Sequence, residues 1–360
     1  MARGDVFRMR PVAYRDERTG RRVWRLTSWD DANCVAAYFY FQSLSRDERY
    51  LVFASDRSGS FELYRLEIGS GETMQLTHDP RCDIVRFNVH PEGKEVFYTV
   101  RKGVYAVDLE SGEERVVAEI EGRPWDRVYG GPSISGDGRI IVCLYRRGGR
   151  YGIAMAEAEG SRFESVYECN KRLSHVQVNP GNSSIISFVP LPDRQNDPGL
   201  PPTERARAWR LDVDTGAAEP FLVAPPGFRA THEYWGPSGD RLYFHLKTVP
   251  SWTPASIAFI TLDGNEIRTL FSSNKKRLGH SCVDAEEKVV VTDVQEPRIN
   301  ELIAVYLENG ASETLCWPNS SVRDQVTGHV HPSFSPSGRK VVYTSDATGK
   351  AQVYMVSLYE

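Results

Sequence analysis

The sequence predicts an all-β protein, a seven-bladed β-propeller, and three observations carry that expectation. A unit of about 40–55 residues returns seven times, the period of a propeller blade. No stripe of apolar residues at helical spacing lasts beyond two turns, while 29 glycines and 21 prolines break the chain into short apolar runs. The last unit stops after its third strand, and a match for the missing fourth lies near the N-terminus.

That N-terminal match is GRRVWRLTS, residues 20–28, which resembles the QLT-type endings of the other units. It is expected to supply the outer strand of the last blade, residues 329–360, closing the ring without a free sheet edge. The whole chain, 1–360, is then one propeller domain. The first complete unit, residues 43–77, reads as a polar turn, an alternating strand, the turn DRSGS, the strand FELYRLEI, the turn GSGE and a short last strand. The pattern returns at 87–120 and 132–168, and further copies start near 175, 232, 280 and 329. PEGK, SGDG, PSGD and PSGR stand between first and second strands, where glycine supplies the positive φ of the turn. In the third unit RRGGR, 146–150, reads as a tight hairpin turn. The fourth breaks the rule with LPDRQNDPGLPPTER, a long irregular loop that directly precedes Arg207. Loops of that kind are functional or disordered, and its setting favours function.

Bulk properties remove several function classes. A net charge of −4 and a pI near 6.1 give no nucleic-acid footprint. The first twenty residues lack the apolar core of a signal peptide, and no segment reads as a membrane span. Six widely spaced cysteines (34, 82, 143, 169, 282 and 316) form no CxxC pair and read as reduced thiols in a cytoplasmic chain. No G-x-S-x-G elbow, Walker loop or dinucleotide fingerprint occurs.

The chemistry lies in the histidines. His175, His232, His280 and His329 follow one another at intervals of 57, 48 and 49 residues, each opening an apolar run. At equivalent positions of first strands they converge at one end of a propeller channel. His329 and His331, two apart on an expected strand, point to one face. With His280 they make a three-nitrogen metal site to which Gln325 could add an oxygen. Such N/O ligation suits Mn²⁺, and also Zn²⁺, Fe²⁺ or Ni²⁺. An isolated HxH is more often a pair of ordinary hydrogen-bonded histidines; the repeat positions favour a site. His232, in ATHEYW, is a natural general base, since imidazole titrates near neutral pH. Arg207, in ARAWRLD, could hold a carboxylate and steady developing negative charge, although by itself it reads as one surface arginine among several. His78, His90 and His245 carry no such signal.

The segments THEYW, LGHSC, TGHVHPSFSPSG and YTSDATGKAQVYMVSL resemble the oligogalacturonate lyases, seven-bladed propellers that cleave short pectin fragments. YLVFASDRSGSFELYRLEIGSGETMQLT is similar to that family's first blade. The resemblance implies Mn²⁺ held by His280, His329, His331 and Gln325, with His232 as base, Arg207 as the charge-stabilising arginine and His175 as a further channel histidine. Gln325 stands four residues before His329, one more than in the family pattern. The tight RRGGR turn replaces the family's long blade-three insertion.

The expected activity is β-elimination from an acidic oligosaccharide, giving 4,5-unsaturated products. Removing the C5 proton of a uronate requires its carboxylate charge to be neutralised, which a divalent cation does as a Lewis acid. Two other readings use the same residues less fully: a metal-dependent hydrolase or isomerase of sugar acids, and a non-catalytic propeller interaction module.

Overall fold

The computed structural model describes residues 2–79, 86–119, 127–160, 162–197, 199–264, 266–296 and 300–359; Cys82 and Pro198 lie outside the described residues. The described residues form seven antiparallel sheets and one short 3-10 turn, Pro202–Arg205. Central strands such as Tyr50–Ser55 and Ile141 to Tyr145 are buried residue after residue. Runs of that composition form because both of their faces are covered by neighbouring sheets.

The chain divides into two compact units. One comprises Met1–Val96, Val107–Glu114 and Arg277–Glu360. It contains the sheet of Val6–Arg8, Glu72–Gln75, Glu62–Glu67, Tyr50–Ser55 and Cys34–Val35, and the sheet of Leu278–Val283, Val289–Val294, Leu302–Tyr306 and Ser312–Cys316. Its third sheet joins the two ends of the chain, in the order Val12–Arg15, Arg22–Arg25, Gln352–Ser357, Lys340–Ser345 and Ser333–Phe334. Val23 lies opposite Val356, Trp24 opposite Met355 and Arg25 opposite Tyr354. The segment 20–28 thus contains a strand on the last sheet, and Val12–Arg15 adds a further one outside it. Leu51, Phe53 and Tyr64 pack with Val342, Val353 and Met355. Val291 and Leu302 pack with Val341, Tyr343 and Val356.

The second unit comprises Phe97–Ala106 and Arg115–Lys276. Its sheets are Arg127–Ile134 through Glu164–Cys169, Arg172–Val178 through Ala217–Leu222, and Phe228–Trp235 through Ile267–Ser273, each of four strands in chain order. Apolar layers alternate with them: Val142, Leu144 and Ile153 against Leu173, Ile186 and Phe188, then Ile185 and Ala208 against Leu242 and Phe244. The turn in RRGGR spans Gly148 (φ 56°) and Gly149 (φ 82°), with Arg147 opposite Arg150. A two-residue hairpin of that hand needs positive φ at both positions. The remaining sheet consists of Phe87–Val89, Glu95–Val100, Gly103–Asp108 and Glu114–Glu119.

One irregularity repeats in the first strands of the second unit. The ladder slips between Tyr129 and Ser133, between Ser174 and Gln177, and between Thr231 and Tyr234. Left-handed residues occupy these bulges: Gly130 and Gly131 in the first, His175 (φ 48°) in the second, His232 (φ 57°) in the third. A bulge re-aims a side chain. Holding a residue other than glycine at such a φ costs about 1 kcal/mol, so these histidines are kept there by their surroundings.

Candidate functional site

In the first unit His280, His329 and His331 come together. One ring nitrogen from each lies within 4.8 Å of the others. Ring centroids are 4.2 Å apart for His280 and His331, 5.4 Å for His280 and His329, and 5.5 Å for His329 and His331. His280 sits at a slip in the strand Leu278–Val283. Its backbone N–H donates to Asp293 Oδ1, the other Asp293 oxygen is 3.5 Å from its Nδ1, and Gln295 Nε2 is 3.2 Å from the same nitrogen. A Cβ on Gly279 would run into Asp293 Oδ1 and Gln295 Cγ, so glycine is required for this approach.

His329 and His331 do not reach the cluster by strand alternation. The strand in that stretch is only Ser333–Phe334, and His331 has a φ of 46°. The two rings meet through this left-handed residue rather than through a period of two. Burial, and then the neighbouring His280, push the His331 imidazole well below its ordinary pKa, against a smaller opposing pull from Asp293. A neutral imidazole is the form that binds metal. Three imidazole nitrogens within 4.8 Å of one another, with His331 held neutral, fit a first-row divalent cation. Tyr38 and Phe39 flank the cluster, with Tyr38 4.7 Å from His331 and Phe39 5.2 Å from His280. Gln325 is exposed in the turn after Asp324, whose carboxylate accepts from the Val326 and Thr327 amides.

In the second unit His232 and His175 are half-buried. The His232 ring lies 5.9 Å from that of His245, which is fully buried, and His175 Nδ1 is 3.1 Å from Ser174 Oγ. Arg207 is buried, not a surface arginine. Its Nε donates to Glu233 Oε2 at 2.9 Å, Nη2 to Glu233 Oε1 at 3.3 Å, and Nη1 to Asp193 Oδ2 at 3.1 Å. Asp193 stands in the long loop of the fourth unit and also accepts from Arg229 Nη2 at 2.8 Å. Burial opposes ionisation of Asp193, but Arg207, Gln195 and Arg229 outweigh it and hold the carboxyl below the usual range. Two tyrosines of this unit are poorly placed to act as bases. Burial pushes Tyr129 up to about 12, and Tyr234 is buried and stacked on Tyr243 at 5.5 Å.

Sequence reasoning passed over Asp193, Gln195, Glu233, Asp293, Gln295 and Tyr38. Glu233 was the most accessible of these, standing beside His232 in HEYW; Tyr38 opens the aromatic run YFYF.

A family model described as oligogalacturonate lyase matches residues 1–145. An oligogalacturonide lyase of Pectobacterium atrosepticum is 23% identical over 393 residues, 99% of this chain and 98% of that protein. An oligogalacturonate lyase of Dickeya dadantii is 23% identical with the same coverage. A solved oligogalacturonate lyase in complex with manganese superposes with a TM-score of 0.86 at 23% identity, over 100% of this chain and 99% of the other. Along its whole length this chain is similar to oligogalacturonate lyases. A second such lyase, from Vibrio parahaemolyticus, superposes with a TM-score of 0.85 at 21% identity over the same shares. The likeness establishes the seven-bladed β-propeller fold. Among the described residues, no helix is long and apolar enough to cross a membrane.

Proposed function

We propose that the protein is a metal-dependent lyase that cleaves short galacturonate oligosaccharides by β-elimination. The carrying observation is the histidine triad within 4.8 Å, in a chain alike along its whole length to lyases of these substrates. His280, His329 and His331 hold a divalent cation, Mn²⁺ by likeness to the manganese complex, and Gln325 is the proposed oxygen donor. When bound, the cation supplies the positive charge that makes the C5 proton of a uronate acidic. His232 takes that proton, the C4–O4 bond breaks as the C4=C5 double bond forms, and the leaving oxygen takes a proton from water. The left-handed bulge sets the direction in which the His232 ring projects. Arg207 donates hydrogen bonds to the substrate carboxylate or to the charge that develops on it, and His175 contributes to substrate binding. Unpaired thiols such as Cys143 suit a reducing compartment, and we place the protein in the cytoplasm. The test is an absorbance assay on di- and trigalacturonate. A lyase generates a 4,5-unsaturated product that absorbs near the ultraviolet edge; a hydrolase releases reducing ends without it.

A further inference from the structure

Arg207 is not a free cation. Three of the five N–H groups that a guanidinium carries are committed, two to Glu233 and one to Asp193. The side chains of Arg207, Glu233 and Asp193 are 8%, 1% and 10% exposed. With Arg229 on the same Asp193 oxygen, two guanidiniums face two carboxylates and the ionised cluster carries no net charge. Arg207 therefore brings oriented donors to its surroundings but little net positive charge.

The same residues grip the backbone around His232. Gln195, whose Nε2 donates to Asp193 at 3.0 Å, also donates to the Ala230 carbonyl at 2.9 Å and accepts from the Ala230 amide at 2.8 Å. Gln177 Nε2 donates to the Glu233 carbonyl at 2.8 Å, and the Trp235 amide donates back to Gln177 Oε1 at 3.4 Å. His232, at φ 57°, is thus flanked by residues pinned from the fourth-unit loop and from the neighbouring first strand. A buried ion pair is a weak source of net stability, because desolvation offsets the attraction. Its use here is orientation.

We propose that Glu233 and Asp193 are positioning residues for the lyase reaction: their carboxylates fix the Arg207 guanidinium in one plane, and through Gln195 and the Glu233 backbone they hold His232 in its left-handed bulge. This rests on the lyase reading, with Arg207 and His232 in the roles given above.

Glu233→Gln keeps the side-chain size and leaves the cluster with one net positive charge. If net charge were what Arg207 supplies, this variant would bind the anionic substrate more tightly and turn over at least as fast. Positioning predicts instead that kcat falls about tenfold or more while KM changes little, since small misplacements of catalytic groups cost that much. Arg207→Lys keeps the cation but loses the planar fork, so it should fall comparably. A readout independent of activity accompanies these. Asp193→Asn should speed hydrogen exchange at the Ala230 amide and tryptic cleavage at Arg194 and Arg205, with bound metal retained. Full turnover by Glu233→Gln or by Arg207→Lys, or unchanged exchange at Ala230 in Asp193→Asn, overturns the proposal. If the wild-type protein forms no unsaturated product, the lyase reading fails, and Ala230 exchange still decides whether the clamp exists.

Discussion

The imidazoles of His280 and His331 lie 4.2 Å apart, centroid to centroid, and both are buried. Protonating both would bring two positive charges into a site sheltered from water. Burial and the neighbouring His280 hold His331 neutral, the form of imidazole that binds a cation. The purified protein should carry about one divalent ion. His329→Ala or His331→Ala should lose it together with activity while the circular dichroism of the fold survives. Metal analysis checks this, and full metal content in the double variant would contradict it.

Asp293 sets the orientation of His280, with one oxygen on its amide and the other 3.5 Å from Nδ1. Partners that orient a ligating imidazole typically contribute 10–100-fold in metal affinity. Asp293→Asn should weaken Mn²⁺ binding by about that factor in calorimetric titration, with the melting temperature in saturating metal little altered. Unchanged affinity would leave Asp293 without this role.

Glu48 offers a pH test of packing in the first unit. Burial opposes its ionisation, but Lys340 Nζ at 2.8 Å, with donors from Ser337 and Ser335, brings its pKa down to about 2. A carboxylate whose folded pKa is depressed stabilises the protein above its unfolded pKa, near 4.5 here. That contribution is lost as pH falls from 4.5 towards 2. Glu48→Gln should therefore be less stable than wild type by about 1–2 kcal/mol at pH 6–7, the scale of a charge-assisted hydrogen bond. The gap should shrink on acidification below pH 4.5. A gap that stays constant would contradict the assignment.

The strand Arg22–Arg25 covers Gln352–Ser357, with Val23 and Val356 both fully buried. Deleting residues 1–28 leaves that strand an open edge, a template for pairing with other chains. The truncated protein should aggregate or melt far lower, as light scattering and calorimetry would report. A monomer of unchanged stability would refute closure by this strand.

The propeller was legible because each unit repeats its turn chemistry, and because the shortened last unit called for a strand like that at 22–25. The histidine triad was legible from spacing, but the reason given for His329 and His331 was only half right. They meet through a left-handed His331, and no pattern of apolar alternation encodes a bulge. Arg207 looked exposed among Arg205 and Arg210 because its carboxylate partners lie 14 and 26 residues away, and local sequence does not report such pairings. Gln325 rests on the motif alone: it lies exposed in a turn, and local sequence states no contact between it and the histidines. Asp293 in the strand next to His280, and Gln295 just past its end, face His280 through a register that the sequence does not state.

The claim that His232 removes a proton in a metal-assisted elimination meets its most direct test in one assay. Absorbance near the ultraviolet edge is followed on trigalacturonate with Mn²⁺-loaded wild type, chelator-treated wild type and Mn²⁺-loaded His232→Ala. The account predicts a steady rise for loaded wild type, none after chelation, and a rate lower by a factor of about a hundred or more for His232→Ala at full metal content, the usual contribution of a general base. Release of reducing ends without absorbance, or a wild-type rate from His232→Ala, would contradict it.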